Sequence, residues 1–160
     1  MIKLEDYDPK RDGGRSWVGF DLDGTLAYHE GYKGRLHIGA PIPATVAMVK
    51  HLLGRGGTVK IVTARMAPPE WVDDVHVSHV LGAIIQWCET HIGQELEVVC
   101  AKDKDMFCLV DDRAIQVEKN TGRLCKDTVD YVTVTDEEFV ELLHRCNEKY
   151  GNALRALADM

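Results

Sequence analysis

An α/β fold, with a Rossmann-like parallel sheet and flanking helices, is the architecture that the sequence predicts. Short, largely apolar runs of strand length alternate along the chain with longer stretches whose apolar residues recur at helical spacing. This alternation is typical of strand–helix–strand units, whose right-handed crossovers build parallel sheets. The chain has 160 residues, of which 45% are hydrophobic and 28% charged, and this suits a single globular domain over residues 1–160.

Four apolar runs are the predicted core strands of this sheet. They are Trp17–Phe20, Thr58–Val62, Leu96–Cys100 and Phe107–Val110. Runs this short, each followed by polar or turn-forming residues, are typical of strands buried between helices. We expect the carboxyl ends of these strands to share one edge of the sheet, where open parallel sheets hold their ligands.

Helical spacing of apolar residues predicts two crossover helices. The first begins at Pro43 and ends at Gly54, and the second runs from near Ser78 to His91. Each should bury one apolar stripe. The stripes consist of Val46, Val49, Leu52 and Leu53 in the first helix and of Val80, Leu81, Ile84, Ile85 and Cys88 in the second.

The chain beyond the fourth strand predicts shorter elements. Ala114–Val117, followed by the turn signal Asn120-Thr121-Gly122, indicates a short strand and a reversal, and Tyr131–Val134 a further strand. A final helix is expected from near Asp136, since the preceding threonine and a later glutamate form a capping box.

Charge, apolar runs and cysteines limit the class of protein. A net charge of -7 gives no general attraction to nucleic acid, so that partner is not favoured, although a local basic groove is an open alternative. No apolar run approaches the roughly 18 residues of a membrane span, and the charged start does not resemble a signal peptide. We therefore expect no membrane association and a cytoplasmic location. Five cysteines without a C-x-x-C pair indicate buried, reduced thiols.

The first chemical signal is the segment D-L-D-G-T-L, residues 21–26, directly after the first predicted strand. Residues two apart on an extended chain point the same way, so Asp21 and Asp23 present two carboxylates to one site. One carboxylate can attack phosphorus and form an aspartyl-phosphate, while the other protonates the leaving oxygen and later deprotonates water. Gly24 lets the backbone turn beside a phosphate, and Thr25 can hold that turn. The alternative is an ordinary polar turn.

Two further signals follow the second and third strands. Thr63 can donate its hydroxyl to a phosphoryl oxygen, and Ala64 and Arg65 come next as expected substrate-binding positions. Arg65 can fork onto a second phosphate or a substrate carboxylate, or it can form a surface ion pair, and both alternatives stay open. Lys102 can offset the charge of the phosphate and the carboxylates, with Lys104 as a competing candidate.

The fourth signal is the pair Asp111-Asp112 at the end of the fourth strand. Two adjacent acids at the end of an apolar strand are costly to bury without a cation. Magnesium prefers hard oxygen ligands, few protein carboxylates and a substrate phosphate that completes its shell. The pair therefore predicts a Mg²⁺ site, with an exposed acidic turn as the alternative.

These signals, taken in order from roughly Trp17 to Val117, resemble the four-motif signature of the haloacid dehalogenase superfamily, and the pattern V-D-D-R-A-I-Q-V with a later N-T-G resembles its small capless phosphatases. The resemblance implies a magnesium-dependent phosphatase with Asp21 as nucleophile and Asp23 as general acid/base. It also implies that Asp23 reaches the metal through its backbone carbonyl. The remaining positions that it assigns are Thr63 and Lys102 for the phosphate, and Asp112 as a magnesium ligand with Asp111 beside it. We expect Asp21 and Asp111 to contribute to the metal site as well.

Most members of that superfamily cover the site with an inserted cap domain, for which this chain offers little room. The intervals Ala27–Ile42 and Met66–Ser78 are too short to hold a core of their own. We therefore expect a site that is open, or covered by a neighbouring subunit of a homo-oligomer. Ala27–Ile42, here called the lip, is the candidate substrate-binding segment, with a simple solvated hairpin as the alternative.

The expected function is hydrolysis of a phosphate monoester on a small phosphorylated metabolite or nucleotide. Polynucleotide ends and phosphoproteins are open alternatives, as is a catalytically silent phosphate-binding module with the same fold. A signalling receiver module uses similar residues, but it places the acidic pair first and the phosphorylated aspartate mid-chain, the reverse of the order here. The pair His76 and His79 has metal-ligand spacing but no third ligand nearby in the sequence, so no zinc site is expected.

Overall fold

Over the residues that the structure describes, the architecture is a four-stranded parallel sheet flanked by two helices, so the predicted α/β class is confirmed. The structure, a computed structural model, describes residues 3–67 and 76–125. The chain divides into two compact units, residues 1–114 and 115–160, and the sheet and both helices lie in the larger unit.

The strands occur where the apolar runs predict them. They are β1 (Trp17–Phe20), β2 (Thr58–Val62), β3 (Glu97–Val99) and β4 (Met106–Val110), in the spatial order β3-β2-β1-β4. All three neighbouring pairs are parallel. The third strand is two residues shorter than expected, because β3 lies at the edge of the sheet and pairs only with β2.

The two predicted helices are also present, as α1 (Pro43–Gly54) and α2 (Val77–His91). Proline starts α1, where its missing N–H leaves no donor unpaired, and the side chain of His76 caps α2 by accepting the Ser78 N–H at 3.3 Å. The helix residues that are buried are Val46, Val49 and Leu52 in α1 and Val80, Ile84, Trp87 and Cys88 in α2.

Strand β1 forms the centre of the core. All four of its residues are buried, and the core continues into the following loop through Leu22 and Leu26, both fully buried. Gly19 lies between the side chains of Val62 in β2 and Leu109 in β4. A Cβ atom there would lie 2.8 Å from Val62 Cγ2 and 3.0 Å from Leu109 Cδ1. Only glycine fits this position without displacing a neighbour.

The order of the strands fixes where a ligand can bind. From β1 the chain first builds outward to β2 and β3, and β4 then adds on the opposite side of β1. Adjacent parallel strands whose connections leave in opposite directions open a crevice at their carboxyl ends. In this sheet that crevice lies between the ends of β1 and β4.

The cysteines follow the expectation only in part. Cys88 is fully buried, which raises the pKa of its thiol to about 11, and burial also raises the pKa of the half-buried Cys108. Cys100 is exposed instead of buried, because it lies just beyond the short edge strand β3. The four described cysteines carry no disulfide.

In the smaller unit the predicted reversal is present. Val117 and Leu124 form an antiparallel bridge, and the Glu118 N–H donates to the Arg123 carbonyl at 2.7 Å. Asn120 takes the left-handed conformation that such a turn uses, with φ of 65°. The predicted strand Tyr131–Val134, the final helix from Asp136 and Cys146 lie outside the described residues. None of the described helices has the length and apolar character needed to cross a membrane.

We expect Gly19→Ala to lower the free energy of unfolding by about 1 to 3 kcal/mol, because the added methyl group overpacks the centre of the sheet. Gly82→Ala is the matched control. Gly82 lies within α2 with no atom within 4 Å of an added Cβ, so alanine should stabilise the helix by about 0.5 to 1 kcal/mol. Urea unfolding of both variants measures these changes. Equal changes in the free energy of unfolding would contradict the close packing around Gly19.

Candidate active site

Three carboxylates converge at the crevice between β1 and β4. Asp21 directly follows β1, and its N–H donates to the Val110 carbonyl at 2.9 Å, which extends the strand pairing by one residue. Asp111 and Asp112 directly follow β4. One oxygen from each of the three side chains lies within 4.8 Å of the others. The two sequence signals furthest apart in the chain therefore form one acidic cluster.

Backbone and hydroxyl contacts lock the loop after β1 against the loop after β4. Gly24 has φ of +89°, and a Cβ atom there would lie 2.6 Å from an oxygen of Asp112. The buried hydroxyl of Thr25 accepts a hydrogen bond from the backbone N–H of Asp112 at 3.0 Å, and it lies 3.4 Å from Oδ1 of the Asp112 carboxylate. Thr45, in α1, donates to the Thr25 carbonyl at 2.6 Å. Gly24 and Thr25 thus hold Asp112 beside Asp21.

Burial and the neighbouring carboxylates perturb Asp21. The pKa of Asp21 is raised to about 6, first because the group is partly buried and then because Asp111, Asp112 and Asp23 are negatively charged, while a hydrogen bond from the Leu22 N–H opposes the rise. At neutral pH the cluster therefore holds negative charge that a cation would stabilise.

The donor set fits a magnesium ion. Mg²⁺ binds oxygen ligands at about 2.1 Å, so ligands on opposite sides of the ion lie about 4.2 Å apart. The separations of up to 4.8 Å in the cluster need only a small contraction to reach that geometry. Asp21 and Asp111 are half-buried and Asp112 is exposed, which leaves the cluster open to a ligand from solvent. Among the described residues, this is the one group of three or more such side chains close enough to hold a metal.

Asp23 does not join this cluster but pairs with Arg65. The guanidinium donates to both carboxylate oxygens, from Nε at 2.6 Å and from Nη2 at 2.7 Å, in the bidentate geometry that arginine favours. The Arg65 side chain is 13% exposed and that of Asp23 is 23% exposed. His29 lies beside the pair, with Nδ1 3.9 Å from Asp23.

Arg65 also ties the lip to the sheet. Its Nη1 donates to the Arg35 carbonyl and its Nη2 to the His37 carbonyl at 2.7 Å, and Arg35 in turn donates to the Arg65 carbonyl at 2.6 Å. Neither reading of Arg65 from the sequence, a phosphate ligand or a surface ion pair, includes this mostly buried cross-link between Asp23 and the lip. Sequence reasoning missed it, and the available signal was an arginine three residues beyond β2, the strand next to β1.

The other predicted phosphate-binding residues differ in burial. Thr63 is buried at the end of β2, and its hydroxyl oxygen accepts the Arg65 N–H at 3.2 Å, which leaves the hydroxyl hydrogen as a donor. Ala64 is exposed at the start of the short 3-10 turn Ala64–Met66. Lys102 and Lys104 are both exposed. Lys104 pairs with Asp105 at 2.9 Å.

The lip encloses a pocket of about 280 Å³ that opens beside Asp23 and Arg65. Its two arms are joined at the base by the bridge between Ala27 and Pro41 and by the Tyr28 N–H, which donates to the Ala40 carbonyl at 2.8 Å. The remainder of the lining comes from residues 28–40, including Tyr28, His29, Tyr32, Lys33 and His37. The lip contains no helix or strand among its residues, all of which the structure describes.

His76 and His79 lie outside this region. Their rings are 6.3 Å apart, and His76 Nδ1 lies 2.8 Å from the Ser78 hydroxyl. The described part of the chain brings no third metal-ligating side chain to this pair.

No protein-family model matches the chain, and no curated protein sequence is significantly similar to it. Among solved structures, one described as a conserved protein from Bacteroides thetaiotaomicron is similar over 61% of this chain and 75% of that protein. The aligned residues are 20% identical and the TM-score is 0.41.

We expect Asp21→Asn, measured with a chelator present, to stabilise the protein more at about pH 8 than at about pH 4. The pKa of Asp21 is about 6 in the folded protein against 3.8 for an ordinary aspartate, so its contribution to stability is present below the lower value and is lost as pH rises through the higher one. After discounting for its partial exposure, the gain at pH 8 should be about 1 kcal/mol. Thermal unfolding across this pH range measures it, and a gain that is equal at both ends would contradict the electrostatic strain.

Removal of the Arg65 side chain should destabilise the protein and loosen the lip. Arg65→Ala leaves Asp23 and two lip carbonyls without their donor, which should cost about 2 kcal/mol. A double-mutant cycle with Asp23→Ala isolates the ion pair, for which we expect a coupling of about 1 to 3 kcal/mol.

Limited trypsin digestion adds an independent readout of the lip. Cleavage after Lys33 should be faster in Arg65→Ala than in the wild type, because the lip then lacks its cross-link. Additive effects in the mutant cycle together with unchanged cleavage would contradict the role of Arg65.

Proposed function

We propose that the chain is a magnesium-dependent phosphatase of the haloacid dehalogenase superfamily, which hydrolyses a small phosphate monoester through an aspartyl-phosphate on Asp21. The observation that carries this proposal is the convergence of Asp21, Asp111 and Asp112 at the crevice between β1 and β4. The order of the motifs along the chain supports the same reading, since the candidate nucleophile follows the first strand and the acidic pair the last.

Asp21, Asp111 and Asp112 would hold the magnesium ion. When bound, Mg²⁺ neutralises part of the charge on the phosphoryl group and orients it for attack. The hydrogen bond between the Asp112 N–H and the Thr25 hydroxyl would keep Asp112 in place while charge develops during the reaction. Electrostatic stabilisation requires groups that are fixed in this way. The cation would also lower the cost of keeping Asp21 ionised, and only the ionised carboxylate is a nucleophile.

The reaction needs two displacements at phosphorus. In the first, an Asp21 oxygen bonds to phosphorus while the bond to the leaving oxygen breaks and that oxygen takes a proton from Asp23. In the second, Asp23 takes a proton from water, the water oxygen bonds to phosphorus, and the bond to Asp21 breaks, which releases inorganic phosphate. Asp23 ends the cycle protonated, ready for the next ester.

The ion pair with Arg65 places a condition on this cycle. Asp23 accepts two hydrogen bonds from Arg65, an arrangement that suits its carboxylate form and therefore the second displacement. To act as an acid, Asp23 has to carry a proton and turn one oxygen toward the leaving group. Arg65 then has a donor to offer to the same leaving oxygen. This exchange would make Arg65 a substrate-binding residue as well as a clamp.

Thr63 and a lysine complete the proposed phosphate site. The Thr63 hydroxyl is buried at the end of β2, the strand adjacent to β1, and can donate to a phosphoryl oxygen. Lys102 would reach the phosphate from the loop between β3 and β4 by its flexible stem, and Lys104 is the competing residue. Either lysine could take up an ordered position only when substrate binds, and its ammonium would then offset the charge of the phosphoryl group.

We further propose that the site has no cap domain and admits substrate past the lip. The lip spans only residues 27–42 and contains no helix or strand, so it cannot form a core of its own. Such a site suits a small ester. The alternative, a phosphate-binding protein with the same fold but without catalytic activity, has to be excluded by experiment.

We expect Asp21→Asn to lower magnesium-dependent hydrolysis of an aryl phosphate by on the order of 10³-fold or more, because an amide cannot form the aspartyl-phosphate. Glu89→Gln, an exposed neutralisation on α2, is the matched control and should retain wild-type activity. Excess chelator should abolish turnover by the wild type. Activity that persists in Asp21→Asn would overturn the mechanism, and a wild type without activity on any ester would indicate the silent module.

A further inference from the structure

The pocket inside the lip lies on the side of the site from which the leaving group departs, if the proposed phosphatase reaction is correct. Asp23 and Arg65 form one wall of this pocket. The metal cluster of Asp21, Asp111 and Asp112 does not line it. A phosphoryl group held at the cluster therefore has its leaving oxygen toward Asp23, and the rest of the substrate extends into the pocket.

The lining of the pocket has an unusual chemical composition for a surface loop. Tyr28 is 54% exposed and Tyr32 is 74% exposed, and both line the pocket. Exposed aromatic side chains that gather around one concavity mark binding sites more often than scattered apolar residues do. His29 and His37 add ring nitrogens that can donate or accept. Lys33 also lines the pocket, and its ammonium pairs with Glu30, another lining residue, at 3.1 Å.

The lip is also built to keep this shape without ligand. Arg65 holds the carbonyls of Arg35 and His37, and the Trp87 indole donates to the Gly39 carbonyl at 2.9 Å. A side chain at Gly39 would collide with the Tyr28 carbonyl, so the two arms of the lip pack at the closest distance that their backbones allow. Binding to a loop held in this way costs little ordering of the chain.

We propose that this pocket binds the nucleoside part of a nucleoside monophosphate, so that the enzyme is a nucleotidase. A nucleobase offers a flat ring that stacks on tyrosine and polar edges that pair with histidine and backbone groups. The pocket volume of about 280 Å³ suits one such group and lies just below the range of roughly 300 to 1,000 Å³ that is typical of ligand sites.

Other leaving groups match the lining less well. A sugar phosphate or glycerol phosphate has no aromatic ring that could stack on the exposed phenol rings. A polynucleotide end would need a basic track for its backbone, and the chain carries a net charge of -7.

Calorimetric titration of the Asp21→Asn protein with Mg²⁺ tests the pocket without turnover. The probes are adenosine 5′-monophosphate and thymidine 5′-monophosphate, with glycerol 3-phosphate and glucose 6-phosphate as esters that lack an aromatic ring. We expect the nucleotides to bind at least about tenfold more tightly than the other two esters.

The tyrosine variants then assign that preference to the lip. In the same Asp21→Asn background, Tyr28→Leu and Tyr32→Leu should each weaken nucleotide binding about fivefold to tenfold and leave glucose 6-phosphate binding unchanged, whereas Tyr32→Phe keeps its ring and should retain the affinity. Met48→Ala, an exposed change on α1, is the control for nonspecific effects. Both tyrosines are exposed, so these variants should unfold at the wild-type temperature.

The outcomes separate the pocket from the chemistry. Equal affinity for all four esters, or equal losses for nucleotides and sugar phosphates in the tyrosine variants, would overturn the nucleoside assignment even if the wild type releases phosphate. Tyrosine-dependent nucleotide binding in a protein that hydrolyses no ester would support the pocket and refute the proposed phosphatase function.

Discussion

Repulsion among the carboxylates at the ends of β1 and β4 is the constraint around which the rest of the site is arranged. The sheet forces the approach, because Phe20 pairs with Val110 and the next residues on both strands are acidic. Burial and neighbouring charge together raise the pKa of Asp21 to about 6. To keep these carboxylates together at neutral pH, the fold needs either a compensating cation or contacts that hold the side chains in place. The geometry of the cluster suits a cation, and the hydrogen bond between Asp112 and Thr25 is a contact of the second kind.

The site consists of two halves that meet at Asp23. One half is the acidic cluster, whose chemistry is suited to a metal ion and a phosphoryl group. The other is the lip, whose backbone is fixed by Arg65 and whose pocket is lined by aromatic and imidazole side chains. Asp23 contacts the second half through Arg65 while its charge acts on Asp21 in the first. This position suits a group that moves a proton between a phosphoryl oxygen and a leaving group.

Local patterns in the sequence predict the sheet, the helices and the acidic cluster. Each strand is recognisable from a short apolar run, and the acidic residues of the cluster come directly after two of these runs. The bounds of β3 could not be predicted in this way, since they depend on its position at the edge of the sheet. The Arg65 cross-link uses the backbone carbonyls of Arg35 and His37. Every residue carries such a carbonyl, so no sequence pattern shows which two are used. For the same reason the lip could be identified as a candidate segment from its composition, but not as a pocket next to Asp23.

Chemical trapping of the covalent intermediate tests the central claim most directly. Wild-type protein, mixed with Mg²⁺ and a phosphate ester and quenched with borohydride, should yield a peptide in which residue 21 is reduced to homoserine, because borohydride reduces an acyl phosphate but not a free carboxylate. Mass spectrometry of the peptide that contains residues 21–26 would identify the site. Reduction at Asp21 that requires both Mg²⁺ and ester is the result that the account predicts, whereas turnover without any reduction, or reduction at Asp111 or Asp112 instead, would contradict it.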